Sequence, residues 1–341
     1  MNMSDLLMKS SNKERSIKDS FDRSIDYLRI SVTDKCNLKC VYCRPSKGLK
    51  YFKNSEIITD EEIVRFVRIA HKHGLRKVRI TGGEPLMRKN ITSLISSIKS
   101  IGIQDLSLTT NGIKLSGLAN DLKKAGLNRV NISLDTMDAS RYRAITNGGN
   151  IHNVWESIHE AERVSLSPVK INTVPIKGLN DDEILDFASL TLDRDFHVRF
   201  IEFMPAMCNG MWKPDKYISS EEVLEKIRTL GNIESFEFRG KGPSRNFRIR
   251  GAVGVIGIIS PLSDHFCNYC NRLRLTSIGK IRPCLFSKEE IDIKTPMRNG
   301  ASDQEIERLY CHAIKSKPER HLLNDNIPFD SPIEAMSQIG G

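Results

Sequence analysis

Two groups of cysteines are the residues best able to do chemistry in this chain. Residues 33 to 45 read TDKCNLKCVYCRP and place Cys36, Cys40 and Cys43 at CxxxCxxC spacing within one short polar loop. Far downstream, CNYCNRLRLT supplies Cys267 and Cys270, and after thirteen further residues RPCLF supplies Cys284. Three thiolates suit a cubic iron–sulfur cluster in which one iron is left open for a non-cysteine ligand. Structural zinc wants a fourth ligand instead, and His265, two residues before Cys267, is available to complete a Cys3His set. Cys208 and Cys311 belong to neither triad.

Two further patterns lie beside the cysteines. In TGGEP at 81 to 85, Gly82 and Gly83 lack side chains at a strand end, which permits close backbone approach or simply supplies turn dihedrals. Arg272 and Arg274 alternate just after Cys270, so an extended backbone sends both guanidinium groups to one face, where they can clamp an anion. Lys77 adds a positive charge beside the second strand.

The elements that must position these residues alternate in type. Short β-rich runs occur at 27–32, 78–81, 105–109, 130–134, 169–174 and 197–203, each followed by room for a crossover helix. Thr59 with Glu62, and Asn180 with Glu183, have the spacing of capping boxes that start helices. Six βα units result, and periodicity alone leaves an open doubly wound sheet and a barrel equally possible. After about Pro205 the pattern changes to a helix near 220–230, shorter strands, the second cysteine loop and a last helix near 303–315. The chain thus divides into a tail (1–22), a repeated α/β region (23–215) and a C-terminal α+β module (216–341) expected to pack against it.

CNLKCVYC followed by TGGEP resembles the radical S-adenosylmethionine superfamily. The resemblance implies that Cys36, Cys40 and Cys43 hold a [4Fe-4S] cluster whose open iron chelates S-adenosylmethionine, which is cleaved to a 5'-deoxyadenosyl radical. It also implies an incomplete TIM-type (β/α)6 barrel, with strand ends facing the cofactor and the C-terminal module closing its open side, which breaks the tie. Tyr42, Gly83, Ser133 and Met204 are implied to line the S-adenosylmethionine pocket.

With the second triad included, the chain is similar nearly end to end to the GTP 3',8-cyclase family of molybdenum cofactor biosynthesis, through LRISVTD, RITGGEPLMR, TTNG, NISLD, VKINTV, FIEFMP and the terminal Gly340 and Gly341. That likeness implies a second [4Fe-4S] cluster on Cys267, Cys270 and Cys284 whose open iron takes the guanine of GTP. It assigns Arg29, Arg79, Thr109, Lys170, Arg272 and Arg274 to GTP, and gives the two tail glycines a role at the active-site mouth. The implied reaction removes the ribose 3' hydrogen of GTP and closes a bond to guanine C8. An electron donor, a homodimer and transfer of the product to cyclic pyranopterin monophosphate synthase are further expectations of the family.

Composition sets the outer limits. The 341 residues are 39% hydrophobic and 28% charged, too apolar for disorder, and the formal charge of +10 favours anionic partners. Eight cysteines, mostly clustered, point to metal ligation in the cytosol rather than a disulfide-stapled secreted scaffold. The N-terminal residues make a poor signal peptide, and no apolar run approaches the length of a membrane span. No basic–aromatic platform for nucleic acid is present.

Overall fold

Strand and helix signals alternate along the first two-thirds of the sequence, and the chain folds accordingly. The computed structural model describes residues 17–43, 50–205, 211–237, 242–287, 289–321 and 336. Six strands, β1 (Tyr27–Ser31), β2 (Lys77–Thr81), β3 (Asp105–Thr110), β4 (Arg129–Ser133), β5 (Val169–Thr173) and β6 (Phe196–Ile201), run parallel in chain order. Helices α1 (Asp60–Lys72), α2 (Ile91–Ser100), α3 (Ala119–Lys124), α4 (Ala139–Thr146), α5 (Ile151–Arg163) and α6 (Ile184–Asp193) make the crossovers.

Each strand has an apolar and a polar face. Leu28, Ile30, Val78, Ile80, Leu106 and Leu108 are buried in one core with helix residues such as Phe66, Ile95 and Ile98. On the opposite face Arg29, Arg79, Ser107 and Arg129 stand in register across β1 to β4, and Asn131, Lys170 and His197 across β4 to β6. A barrel that fills its own interior carries branched apolar side chains there. This polar inner face reserves the interior for a ligand.

The downstream strands do more than form a separate module. β9 (Val255–Ile259) adds parallel to β6, and β10 (Arg272–Leu275) adds parallel to β1, so both edges of the six-stranded unit are extended. Antiparallel β8 (Arg245–Ile249) and β7 (Ile233–Ser235) continue one side, and β11 (Lys280–Arg282) and β12 (Ile291–Asp292) the other. The partial barrel is therefore the centre of a twelve-stranded sheet, whose added strands cover edge amides that would otherwise lack partners. Three more helices, α7 (Ser220–Arg228), α8 (Lys294–Arg298) and α9 (Asp303–Lys315), pack outside. Glu202, just past β6 and buried, ties this region together. Its carboxylate accepts from Ser220 N–H at 3.2 Å on α7, and from Leu262 N–H at 2.9 Å and Ser263 N–H at 3.1 Å after β9.

Three local expectations come out differently from one another. The Thr59–Glu62 capping box forms at α1. The Asn180–Glu183 box does not: a 3-10 turn occupies 181–183 and α6 starts at Ile184. Both side chains have longer-range partners, with Asn180 donating to the Asp135 carbonyl at 2.6 Å and Glu183 accepting from the Thr136 hydroxyl and the Met137 amide. The described part of the N-terminal tail is also bonded into the body, through Ile17 N–H to the His73 carbonyl at 3.3 Å and the buried Asp19–Arg23 pair. Among the described residues no helix is long and apolar enough to cross a membrane.

Candidate active site

The first cysteine loop follows β1 and lies against the end of β2. Gly83 N–H donates to the Thr33 carbonyl at 2.7 Å, and Glu84 N–H to the Lys35 carbonyl at 2.8 Å. A Cβ on Gly83 would lie 2.3 Å from the Lys35 oxygen, and one on Gly82 2.7 Å from the Thr33 oxygen, so neither position has room for a side chain. The glycines thus seat the cysteine loop, a cause distinct from ligand approach. Glu84, buried beneath, accepts from Leu86 N–H, the Thr110 hydroxyl and Asn111 N–H at 2.7 to 3.0 Å, while burial pushes its carboxyl up to about 7. Asn111 then donates to Asn37 at 2.9 Å and reaches Cys36 Sγ at 3.8 Å.

The other half of that loop is pinned from across the barrel. The Tyr42 hydroxyl donates to the Asp135 carboxylate, which also accepts from Val174 N–H at 2.9 Å. Burial and then the neighbouring Cys43 thiol hold the Cys40 thiol well above its ordinary range, so its thiolate needs a compensating cation.

The second triad sits at the other end of the same strands. Cys267 and Cys270 precede β10, and Cys284 follows β11, whereas Cys36 follows β1. Because β10 and β1 are parallel and in register, the two triads face a common cavity from opposite ends of that strand pair. The first triad thus stands at the carboxyl ends of the strands, as the barrel expectation has it, and the second at the amino end of the β1–β10 pair. Between the triads, Arg274, Arg29 and Arg79 form one register row.

This row is crowded with positive charge. Burial, followed by the charges of Arg274 and Arg79, lowers Arg29, and burial lowers Arg79. Burial with Arg272 draws Arg274 to about 10, and burial with Arg79 draws Arg199 to about 9. Burial, then Arg199, brings Lys170 to about 6. Gly257, opposite Arg199 in the register, leaves space for that side chain, since a Cβ there would come within 2.7 Å of it. Among the described residues, Thr109 Oγ1, Asn172 Oδ1, Tyr27 OH and Arg199 Nε are buried without hydrogen-bond partners. Such groups call for a polar occupant that offers an acceptor to Arg199 Nε and a donor to Asn172 Oδ1.

Of the residues expected from sequence, Tyr42, Gly83, Ser133 and Met204 line the cavity, as do Arg29, Arg79, Thr109, Arg272 and Arg274. Lys170 does not line it. It lies two residues before the wall residue Asn172 on β5, on the same strand face. Lys77 pairs with Asp26 at 3.2 Å. His265 does not line the cavity either; its ring meets the Pro261 carbonyl at 3.3 Å and His321 at 3.2 Å. Cys311 sits on α9 away from the cavity, while Cys208, Gly340 and Gly341 lie outside the described residues. Asn111, Asp135, Asn172, Arg199, Lys317 and His321 are wall residues that sequence reasoning did not single out. Arg199 was within reach, because alternation along β6 places it on the polar face with His197, whereas Lys317 and His321 carry no local motif.

Among the described residues no three His, Cys, Asp or Glu side chains close to single-ion distance. A cubane takes one thiolate per iron, so its cysteines need not converge on a point. The donor sets fit such clusters: thiols only, the first set with an amide donor on sulfur and the second with cations beside it.

The family model described as Radical SAM superfamily matches residues 30–191, and the one described as Molybdenum Cofactor Synthesis C matches residues 196–323. Curated proteins named GTP 3',8-cyclase are similar over almost the whole chain. That of Desulforamulus reducens is 47% identical over 95% of this chain and 99% of its own, and that of Heliobacterium modesticaldum 48% over 95% and 99%. The one from Moorella thermoacetica is 47% identical over 95% of this chain and all of its own. Among solved structures, Streptococcus suis SuiB bound to S-adenosylmethionine superposes with a TM-score of 0.53 at 18% identity, covering 79% of this chain and 61% of that one. SuiB bound to its precursor peptide gives 0.58 at 17%, covering 86% and 65%. This chain thus spans less than two-thirds of SuiB, and that likeness concerns the fold. The cysteine-loop architecture and the near-complete match to the curated relatives place the chain in the radical S-adenosylmethionine superfamily, in the family of the GTP 3',8-cyclases.

Proposed function

We infer that this protein is a GTP 3',8-cyclase, converting GTP to (8S)-3',8-cyclo-7,8-dihydroguanosine 5'-triphosphate in the first step of molybdenum cofactor biosynthesis. The observation that carries this reading is the buried cation row between two thiol triads on one cavity. Cys36, Cys40 and Cys43 would hold one [4Fe-4S] cluster, with S-adenosylmethionine placed by Tyr42, Gly83, Ser133 and Met204. Cys267, Cys270 and Cys284 would hold the other. When bound, the first cluster and S-adenosylmethionine supply one-electron chemistry able to abstract a hydrogen atom.

The chain's own residues bind, orient and shield. Arg29, Arg79, Arg272 and Arg274 offer guanidinium groups to a triphosphate, Thr109 offers a buried hydroxyl, and Lys170 adds charge behind them. Holding the nucleotide between the triads brings reacting atoms together and keeps water away. Gly340 and Gly341 are proposed to reach the cavity mouth. We further assign residues 23–215 to the cofactor-binding part and 216–341 to the second cluster and GTP. A homodimer in the cytoplasm, an external electron donor and product transfer to cyclic pyranopterin monophosphate synthase complete the proposal.

The test is anaerobic incubation of the reconstituted protein with GTP, S-adenosylmethionine and a strong reductant. The expected result is 5'-deoxyadenosine together with the cyclised nucleotide. Formation of 5'-deoxyadenosine that is indifferent to GTP would overturn the substrate assignment.

A further inference from the structure

A lysine just beyond α9 is the least expected member of the cavity wall. Lys317 lies two residues past α9, is 3% exposed, and donates from Nζ to the Arg272 carbonyl and to the Pro283 carbonyl, each at 2.9 Å. Those carbonyls belong to the two separate segments that carry the second triad. Arg272 is two residues past Cys270, Pro283 immediately precedes Cys284, and the β10–β11 hairpin lies between them. One ammonium therefore ties together the end of the hairpin at which the thiols stand.

The remaining cysteine is braced from the opposite end of the chain. Arg23 donates to the Cys267 carbonyl at 2.7 Å, and also to the Pro318 and Glu319 carbonyls at 2.7 and 2.8 Å. Its charge is met by Asp19 at 2.6 Å. Lys317 differs, because both of its hydrogen-bond partners are neutral carbonyls. Among the described residues no carboxylate pairs with it, and a buried ammonium without a counter-anion is costly. The thiols of the second triad share a cavity wall with it: Cys267, Cys270, Cys284 and Lys317 all line the same cavity.

We propose that Lys317 is a positioning residue of the second iron–sulfur site, fixing the spacing of Cys270 and Cys284 and offsetting the negative charge of the thiolate-held cluster. The proposal rests on reading the second triad as a cluster site. Three thiolates on a dicationic core leave a net negative charge that grows on reduction, so a fixed cation beside them favours the reduced form.

The test uses the full chain with Cys36→Ala, Cys40→Ala and Cys43→Ala, which leaves the second triad to report alone. After anaerobic reconstitution this background should hold about four irons; binding no iron there would sink the cluster reading itself, independently of Lys317. Given that iron, adding Lys317→Met should speed iron loss to a chelator about 10- to 100-fold and move the midpoint potential to more negative values. An unchanged chelation rate and potential in a variant with wild-type circular dichroism overturns the proposal. If the methionine variant does not fold, Lys317→Arg carries the test: it keeps the charge but alters the reach, so faster iron loss supports positioning and a wild-type rate overturns it.

Discussion

At the scale of single residues, the unusual fact is how many cations are buried on one face of the sheet. Lys170 is drawn to about 6 by burial and by Arg199, against an ordinary value of 10.5. Above pH 6 it is therefore largely neutral, and phosphate oxyanions brought near it favour its charged form. Nucleotide binding should take up a proton at pH 8, and affinity should decline as pH rises through this window. Calorimetry in buffers of differing ionisation enthalpy reads the uptake, and Lys170→Met should abolish it. For the wall arginines, Arg272→Ala or Arg274→Ala should weaken GTP binding by about 10-fold or more, the scale of a lost charge-assisted bond. Cleavage of S-adenosylmethionine without substrate should change much less, and equal losses in both assays would count against a GTP clamp.

At the scale of elements, the first triad depends on two loops lying in contact. The Gly83 position cannot take a side chain because the Lys35 carbonyl occupies the space. Gly83→Ala should displace the cysteine loop and lose the first cluster while sparing the second. Iron should then fall from about eight to about four per chain, and retention of all eight would show that the contact is dispensable. Much of this was legible in TGGEP, which marks the glycines by type and place. The carbonyls they make room for were not, since Thr33 and Lys35 lie some fifty residues upstream and meet Gly82 and Gly83 only when β1 and β2 pair. The Asn180–Glu183 pair teaches the converse. A local capping pattern is physically sufficient, but both side chains found partners next to Asp135, and through it they steady Tyr42.

At the scale of the whole molecule, the cation row is an electrostatic load that folding alone does not relieve. Carboxylates take some of it, as where Asp105 pairs with Arg129, but Arg274 and Arg79 repel Arg29, and Arg79 repels Arg199, in a water-poor space. An anionic ligand should therefore stabilise the fold strongly. Inorganic tripolyphosphate at about 100 times its Kd should add about 2.7 kcal/mol, seen as a higher Tm. Guanosine without phosphates should raise Tm far less, and the reverse order would place the recognition elsewhere.

The sequence by itself determined the six strands, the crossover helices, the two cysteine triads and the alternating arginines, because these rest on periodicity and spacing within a few residues. Only the tertiary structure decided that β9 and β10 flank the six strands as parallel neighbours, which puts the triads at opposite ends of a shared cavity. It likewise decided that Arg23 and Lys317 brace the second triad. Those facts arise from hydrogen bonds and charges between segments far apart in the chain, and no local pattern of residues encodes them.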